Sequence, residues 1–211
     1  MKASVCMATF NRDPDVLAQV LESICRQQPP FDLEVVVVDD GSDPSSAEIC
    51  GSFGVVFHRI ERPSVWRMSC VARNTAYRMA SGDIIIAQSD DVVHQCDDSI
   101  ELLCRLLEDT AKSFIIATVV GCNKRGIPDG IYTGVWGKKR RRVPYFFLGA
   151  VWKTDLYLVG GNDEDFDKSG GQAWEDVWLG DCLIRGRSLL PIYTKQVLGN
   201  HMWHPPVVYA Y

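Results

Sequence analysis

The chain has 211 residues, 46% of them hydrophobic and 23% charged, and its 22 basic against 27 acidic side chains give a formal net charge of −5. A single core at this length can remove roughly 70% of the unfolded chain's surface from water, which excludes a disulfide-dependent miniprotein. No apolar run reaches the roughly 18 residues of a membrane-spanning helix, and Met1 to Phe10 lacks the apolar stretch and small-residue cleavage site of a secretory signal.

The predicted elements alternate between short β-rich runs and helical patterns, the signature of βαβ units. Ala3–Ala8 is the first strand. Asp13 and Pro14 then supply a helix cap and a first-turn proline, and Val16, Leu17, Val20, Leu21 and Ile24 follow at helical spacing until Pro29–Pro30. Leu33–Val38 reads as a buried strand, Pro44–Cys50 as a short helix, Val55–Ile60 as a strand and Met68–Met79 as a helix stopped near Gly82. Ile84–Ala87 is another core strand, Asp97–Leu107 an amphipathic helix and Ile115–Val120 a strand. From Gly121 the sequence becomes glycine-rich and aperiodic. Order resumes at Tyr145–Trp152. A polar stretch from Gly160 to Gln172 precedes a helix from Trp174 to about Ile184, a strand near Leu190–Val197 and an aromatic tail.

Eight cysteines (Cys6, Cys25, Cys50, Cys70, Cys96, Cys104, Cys122 and Cys182) are spread without a C-x-x-C pair. This reads as free thiols of a reducing, cytoplasmic setting rather than a zinc ribbon or redox dithiol. The acidic balance disfavours nucleic acid as a partner. The run Lys138–Arg142 holds five of the 22 positive charges and is either a solvated loop or a face for a phosphate or acidic acceptor.

In an open α/β sheet, ligands bind beyond the carboxyl ends of the strands. The polar residues at those ends are Thr9-Phe10-Asn11-Arg12, Asp39-Asp40-Gly41-Ser42 and Gln88-Ser89-Asp90-Asp91. Any one cluster is accounted for by capping; three along one edge describe a cleft. Neither G-x-G-x-x-G nor G-x-x-x-x-G-K-[ST] is present, so backbone amides are not the main phosphate cradle. A carboxylate-rich cleft accepts a diphosphate only with a divalent cation between them.

These clusters, with Ala72-Arg73-Asn74, Gly82-Asp83 and Trp174-Glu175-Asp176 in the same order, resemble the GT-A glycosyltransferases of family 2 over about residues 3 to 204. The resemblance implies a single α/β domain with a Rossmann-like, mixed, mostly parallel central sheet flanked by helices. Residues 1–120 would form its nucleotide-binding half and 121–211 its acceptor-binding half. It further implies inverting transfer of a hexose or deoxyhexose, of the glucose or rhamnose type, from a UDP-sugar to a hydroxyl of a glycan or glycoconjugate acceptor. The length is also similar to that of the compact glycosyltransferase domains of large algal viruses, which would place the protein in host cytoplasm. Further domains of a longer polypeptide are compatible with where the chain begins and ends.

Carried onto this sequence, the resemblance places Thr9, Asn11, Arg12 and Asp40 around the nucleobase and ribose. Asp40 would accept from the uracil imide N–H, a donor that cytosine lacks. Asp39 is expected to tie down the turn. Arg73 and Asn74 would contact the nucleotide, hold the metal-binding loop or serve structure alone. The D-x-D pattern is broken: Ser89 occupies the first acidic position, Asp91 the metal-binding one, and Asp90 between them would reach the ribose or bind through water. His201 would be the further metal ligand and His204 its reserve or a diphosphate contact. This mixed set suits Mn²⁺, with Mg²⁺ second because it prefers oxygen ligands. Asp176 would be the base and Glu175 would position the acceptor, their alternative being favourable charge at a helix start. Trp174, Trp152 and Tyr145 are candidates to stack on sugar faces. The competing readings are a catalytically inactive nucleotide- or carbohydrate-binding module and a nucleotidyltransferase, the latter lacking its glycine-rich loop between Thr9 and Pro14.

Overall fold

The structure is a computed structural model and describes residues 1–61, 68–133, 143–168 and 174–204. The basic run Lys138–Arg142 and the glycine-bearing loop 169–173 lie outside them.

Among the described residues, nine strands form one sheet in the order β3-β2-β1-β4-β8-β6-β9-β5, with β7 pairing to β6 off this path. Strands β1 (Lys2–Thr9), β2 (Asp32–Asp39), β3 (Val56–Arg59) and β4 (Ile84–Ser89) run parallel to one another. Strand β8 (Leu148–Trp152) enters antiparallel between β4 and β6 (Ser113–Cys122). Its admission depends on Gly149, where a Cβ would stand 2.1 Å from the Ile115 carbonyl oxygen. Strand β9 (Leu190–His201) pairs parallel with β6 and extends past the expected end at Val197, because β5 (Val92–His94) pairs with its last residues. Strands β5 and β7 (Pro128–Thr133) and helix α5 (Lys153–Leu158) are additions to the sequence expectation; at three to six residues each is too short to carry a period.

Helix α1 (Pro14–Cys25) starts where the sequence places it: Asp13 accepts from the N–H groups of Asp15 and Val16 at 3.0 and 3.3 Å. Its Leu17, Val20, Leu21 and Ile24 are fully buried against Val5, Met7, Val37 and Ile86 on one sheet face. The opposite face packs Cys6, Val36, Val38 and Ile85 under α3 (Cys70–Met79) and α6 (Glu175–Arg187) through Ala72, Ala76, Leu179 and Leu183. The two-residue alternation thus serves both sides, and each fully buried Val, Leu or Ile contributes about 1.5–3 kcal/mol. Helices α2 (Ala47–Ser52) and α4 (Ser99–Glu108) complete the layers. Among the described residues, no helix is long and apolar enough to cross a membrane.

Candidate active site

The carboxyl ends of β1, β2 and β4 meet at one edge, and side chains lock them together. Asp39 accepts from the Ser42 and Ser46 N–H groups at 2.7 and 2.9 Å, tying the turn after β2 as expected. Asn11, at φ 46°, joins that turn to β1: its N–H donates to Ser42 Oγ at 2.9 Å and its Oδ1 accepts from the Asp43 N–H at 2.8 Å. A short amide side chain tolerates this left-handed backbone. Asp40 is buried beside it, its N–H donating to the Thr9 carbonyl at 2.8 Å.

After β4 the chain turns through Asp90 and Asp91, both buried. Asp90 accepts from Thr9 Oγ1 at 2.8 Å and from Arg12 Nη2 at 2.7 Å, so each of its oxygens is engaged within the protein. Ser89 Oγ donates to Asp91 Oδ1 at 2.8 Å. The other oxygen, Oδ2, faces Arg12 Nη2 at 3.0 Å, His204 Nε2 at 3.4 Å and His201 Nε2 at 3.6 Å. Burial opposes the Asp91 charge, yet the His204 and Ser89 bonds and the charge of Arg12 hold this carboxyl well below the usual carboxylate range, His201 adding to this only when protonated. Burial lowers the pKa of His201, with Asp91 pulling the other way and His204 pushing it down further, which favours a neutral ring able to ligate.

One atom each from Asp91, His201 and His204 lie within 4.8 Å of one another. A carboxylate with two imidazoles, converging from two elements, is a donor set that could hold a divalent metal cation. The structure therefore brings both histidines to Asp91 rather than choosing between them. Arg12, which the sequence places around the nucleobase and ribose, bridges Asp90 and Asp91, where it and a cation would compete for Asp91 Oδ2.

Asp176 and Glu175 open α6, and their charges sit near the helix's positive end. Asp176 is paired with Arg73 of α3. Burial raises the Asp176 carboxyl to about 6, with Arg73 opposing the rise and the charges of Glu175 and Asp91 adding to it. Glu175 is buried and its Oε2 accepts from the Trp174 N–H at 3.1 Å. Trp174 stacks on Tyr145 with ring centres 6.3 Å apart and remains exposed. Trp152 is at the opposite edge: it pairs with Ile84, where β4 begins, and lines a cavity with Met1 and Asp83. The aromatic pattern alone could not show that β8 enters antiparallel and carries this ring away from the cleft.

Asn74 points elsewhere too. Its Nδ2 donates to the Asn162 carbonyl at 2.8 Å and to Glu164 Oε1 at 3.0 Å, and its Oδ1 accepts from the Asn162 N–H at 2.8 Å. Gly161, at φ 74°, allows this approach, since a Cβ there would lie 2.4 Å from Asn74 Oδ1. Of the roles open to Asn74, the structure displays a holding one, directed at residues 161–164. Asp167 was not anticipated: within a 3-10 turn (Glu164–Lys168) it accepts from the N–H groups of Cys70 and Val71 at 3.1 and 2.9 Å, capping α3. A cap supplied from so far along the chain has no local sequence signal.

A model of the family described as glycosyl transferase family 2 matches residues 4–160. A poly(ribitol-phosphate) beta-glucosyltransferase of Bacillus spizizenii is 27% identical over 140 residues, covering 63% of this chain and 21% of its own length. An N-acetylglucosaminyltransferase of Bradyrhizobium sp. is 31% identical over 101 residues, 44% of this chain and 63% of its own length. The chain thus spans about a fifth of the first relative and under two thirds of the second. Among solved structures, residues 1–349 of Staphylococcus aureus TarS superpose with a TM-score of 0.72 at 18% identity, over 96% of this chain and 60% of that one. The same TarS fragment has been solved with UDP. The mannosyltransferase PcManGT from Pyrobaculum calidifontis, in complex with GDP-Man and Mn²⁺, gives 0.69 at 18% identity, over 94% of this chain and 56% of that one. These structures share the GT-A fold of this chain. None of these relatives is viral, so the likeness to algal-virus domains gains no support from them.

Proposed function

The chain belongs to glycosyl transferase family 2, and on that premise we propose that it is a metal-dependent, inverting glycosyltransferase. It moves a hexose or deoxyhexose, of the glucose or rhamnose type, from a UDP-sugar to a hydroxyl of a glycan acceptor. The observation that carries the reading is the proximity of the Asp91–His201–His204 set to the half-buried carboxylate Asp176, whose pKa the Asp91 charge helps to raise.

Residues 1–120 provide the donor side. Asp40, just past the end of β2, accepts from the uracil imide N–H, while Thr9, Asn11 and Arg12 surround the nucleobase and ribose, Ser89 lines the nucleotide-sugar site, and Asp90 reaches the ribose directly or through water. Asp91, His201 and His204 hold a divalent cation, Mn²⁺ before Mg²⁺. When bound, that ion offsets negative charge on the departing diphosphate. Residues 121–211 provide the acceptor side. The Asp176 carboxylate takes the proton of the acceptor hydroxyl as that oxygen attacks the anomeric carbon from the face opposite the leaving UDP. A base near 6 is ionised at neutral pH and accepts a proton efficiently. Arg73 must release Asp176 for this step, and Glu175 orients the acceptor against the exposed Trp174 ring. The TarS complex with UDP supports the donor choice, whereas the PcManGT complex with GDP-Man makes GDP the competitor to exclude.

The Arg73–Asp176 ion pair favours a second reading, a nucleotide-binding module in which that pair is permanent. The test is competition by UDP, GDP and CMP in the presence of Mn²⁺, followed by mass analysis after incubation with UDP-sugars and glycan acceptors. Selective UDP binding with a transferred sugar supports transfer. UDP binding without product supports the module, and equal competition by GDP removes the uracil role of Asp40.

A further inference from the structure

Gln88 occupies the next-to-last position of β4, one residue past the expected strand end at Ala87, and is only 4% exposed. Its amide is turned into the acidic turn. Nε2 donates to the Ser89 carbonyl at 2.9 Å and to the Val92 carbonyl at 2.7 Å, the two residues flanking Asp90 and Asp91. With both of its N–H groups spent, Gln88 presents only Oε1 to its remaining neighbour, His94 Nε2 at 2.9 Å. That fixes both groups. The reverse amide orientation would set an oxygen against two carbonyls, and His94 must carry its proton on Nε2. Burial, helped by Arg26, lowers the His94 pKa to about 4, so the ring is neutral at neutral pH. His94 is itself anchored, its N–H donating to Ser23 Oγ at 3.1 Å and its carbonyl accepting from Arg26 Nη2 at 3.4 Å, both on or beside α1.

We propose that the Gln88–His94 pair positions the metal-binding turn: Gln88 clamps the backbone on both sides of Asp90–Asp91 and thereby sets how tightly Asp91, with His201 and His204, holds a divalent cation. The clamp acts twice. Through Ser89 it fixes the residue whose hydroxyl orients Asp91 Oδ1. Through Val92 it fixes the residue paired with His201 in the β5–β9 ladder. A single buried amide therefore governs the spacing between the carboxylate and the imidazoles. Partners that orient metal ligands typically change affinity 10–100-fold when removed. The inference rests on the metal site of the proposed function.

The experiment is Mn²⁺ titration of the full chain, followed by the electron paramagnetic resonance signal of free Mn²⁺, for wild type, Gln88→Met and His94→Phe. The first substitution keeps the volume and removes both ends of the amide; the second keeps the ring shape and removes the donor. Melting temperature without metal is measured in parallel. Gln88→Met should weaken Mn²⁺ binding at least 10-fold, and His94→Phe should weaken it less. A folded Gln88→Met with Mn²⁺ affinity within twofold of wild type, whatever its melting temperature, overturns the inference. Should Gln88→Met not fold, His94→Phe decides: unchanged affinity there overturns it equally. Wild type failing to bind Mn²⁺ refutes the metal site itself, a different result from either.

Discussion

Met202 donates its backbone N–H to the carbonyl oxygen of Asp91 at 2.7 Å. With the adjoining Val92–His201 pairing, this bond makes the segment around His201 and Met202 a wall of the acidic turn. Lys124 holds the same segment from β6's far end, its Nζ lying 4.7 Å from the centre of the Trp203 ring. His201 is thus presented by sheet pairing, and His204 by the short segment that follows it, to a carboxylate from the opposite half of the chain.

Asp91→Ala removes the only carboxylate of the three-residue set. Mn²⁺-dependent UDP binding, followed by calorimetry, is expected to vanish, and metal-free melting is expected to fall as the Ser89 and Arg12 contacts of this buried carboxylate are lost. Retained Mn²⁺-dependent binding would contradict the assignment of Asp91.

Asp176→Asn keeps the shape of the base and removes its proton affinity. Donor binding should persist and transfer should fall by roughly 10²–10⁴-fold. In wild type, kcat/KM should drop on the acid side with an apparent pKa of about 6, because burial raises Asp176 and its protonated form cannot accept the hydroxyl proton.

Arg73→Gln tests the pairing from the other side. Arg73 opposes the rise of the Asp176 pKa, so its loss should move the acid limb of the pH profile to higher pH. An unmoved limb would mean that the profile reports another group.

Asn74→Ala separates holding from nucleotide contact. Losing three hydrogen bonds to residues 161–164 should cost about 2–3 kcal/mol, a melting decrease of roughly 4–12 °C at this chain length. The donor KM should stay within about twofold if Asn74 does not touch the nucleotide, as measured by initial rates.

Much of this arrangement was legible from local chemistry. Asp13 and Pro14 begin α1 because capping and proline geometry act within one turn, and Asp39 ties its turn for the same reason. The three polar clusters were recognisable because apolar runs of strand length end at each. What escaped depends on partners far along the chain. Arg12 could not be placed against Asp90 and Asp91 until β1 and β4 were neighbours. Trp152 read as a cleft aromatic until the direction of β8 put it at the other edge. Asp167 and Gln88 look unremarkable in sequence, a turn acid and a strand-end amide, and take their roles only from the α3 amides and the acidic turn that folding brings to them.

The most direct test of sugar transfer is incubation of the protein with a panel of UDP-sugars and glycan acceptors, with Mn²⁺ or with EDTA, reading products by mass. The prediction is one UDP-sugar giving an acceptor heavier by one hexose or deoxyhexose residue with Mn²⁺ and no product with EDTA. Equal product in EDTA, or UDP bound in Mn²⁺ with no acceptor modified by any donor, would contradict it.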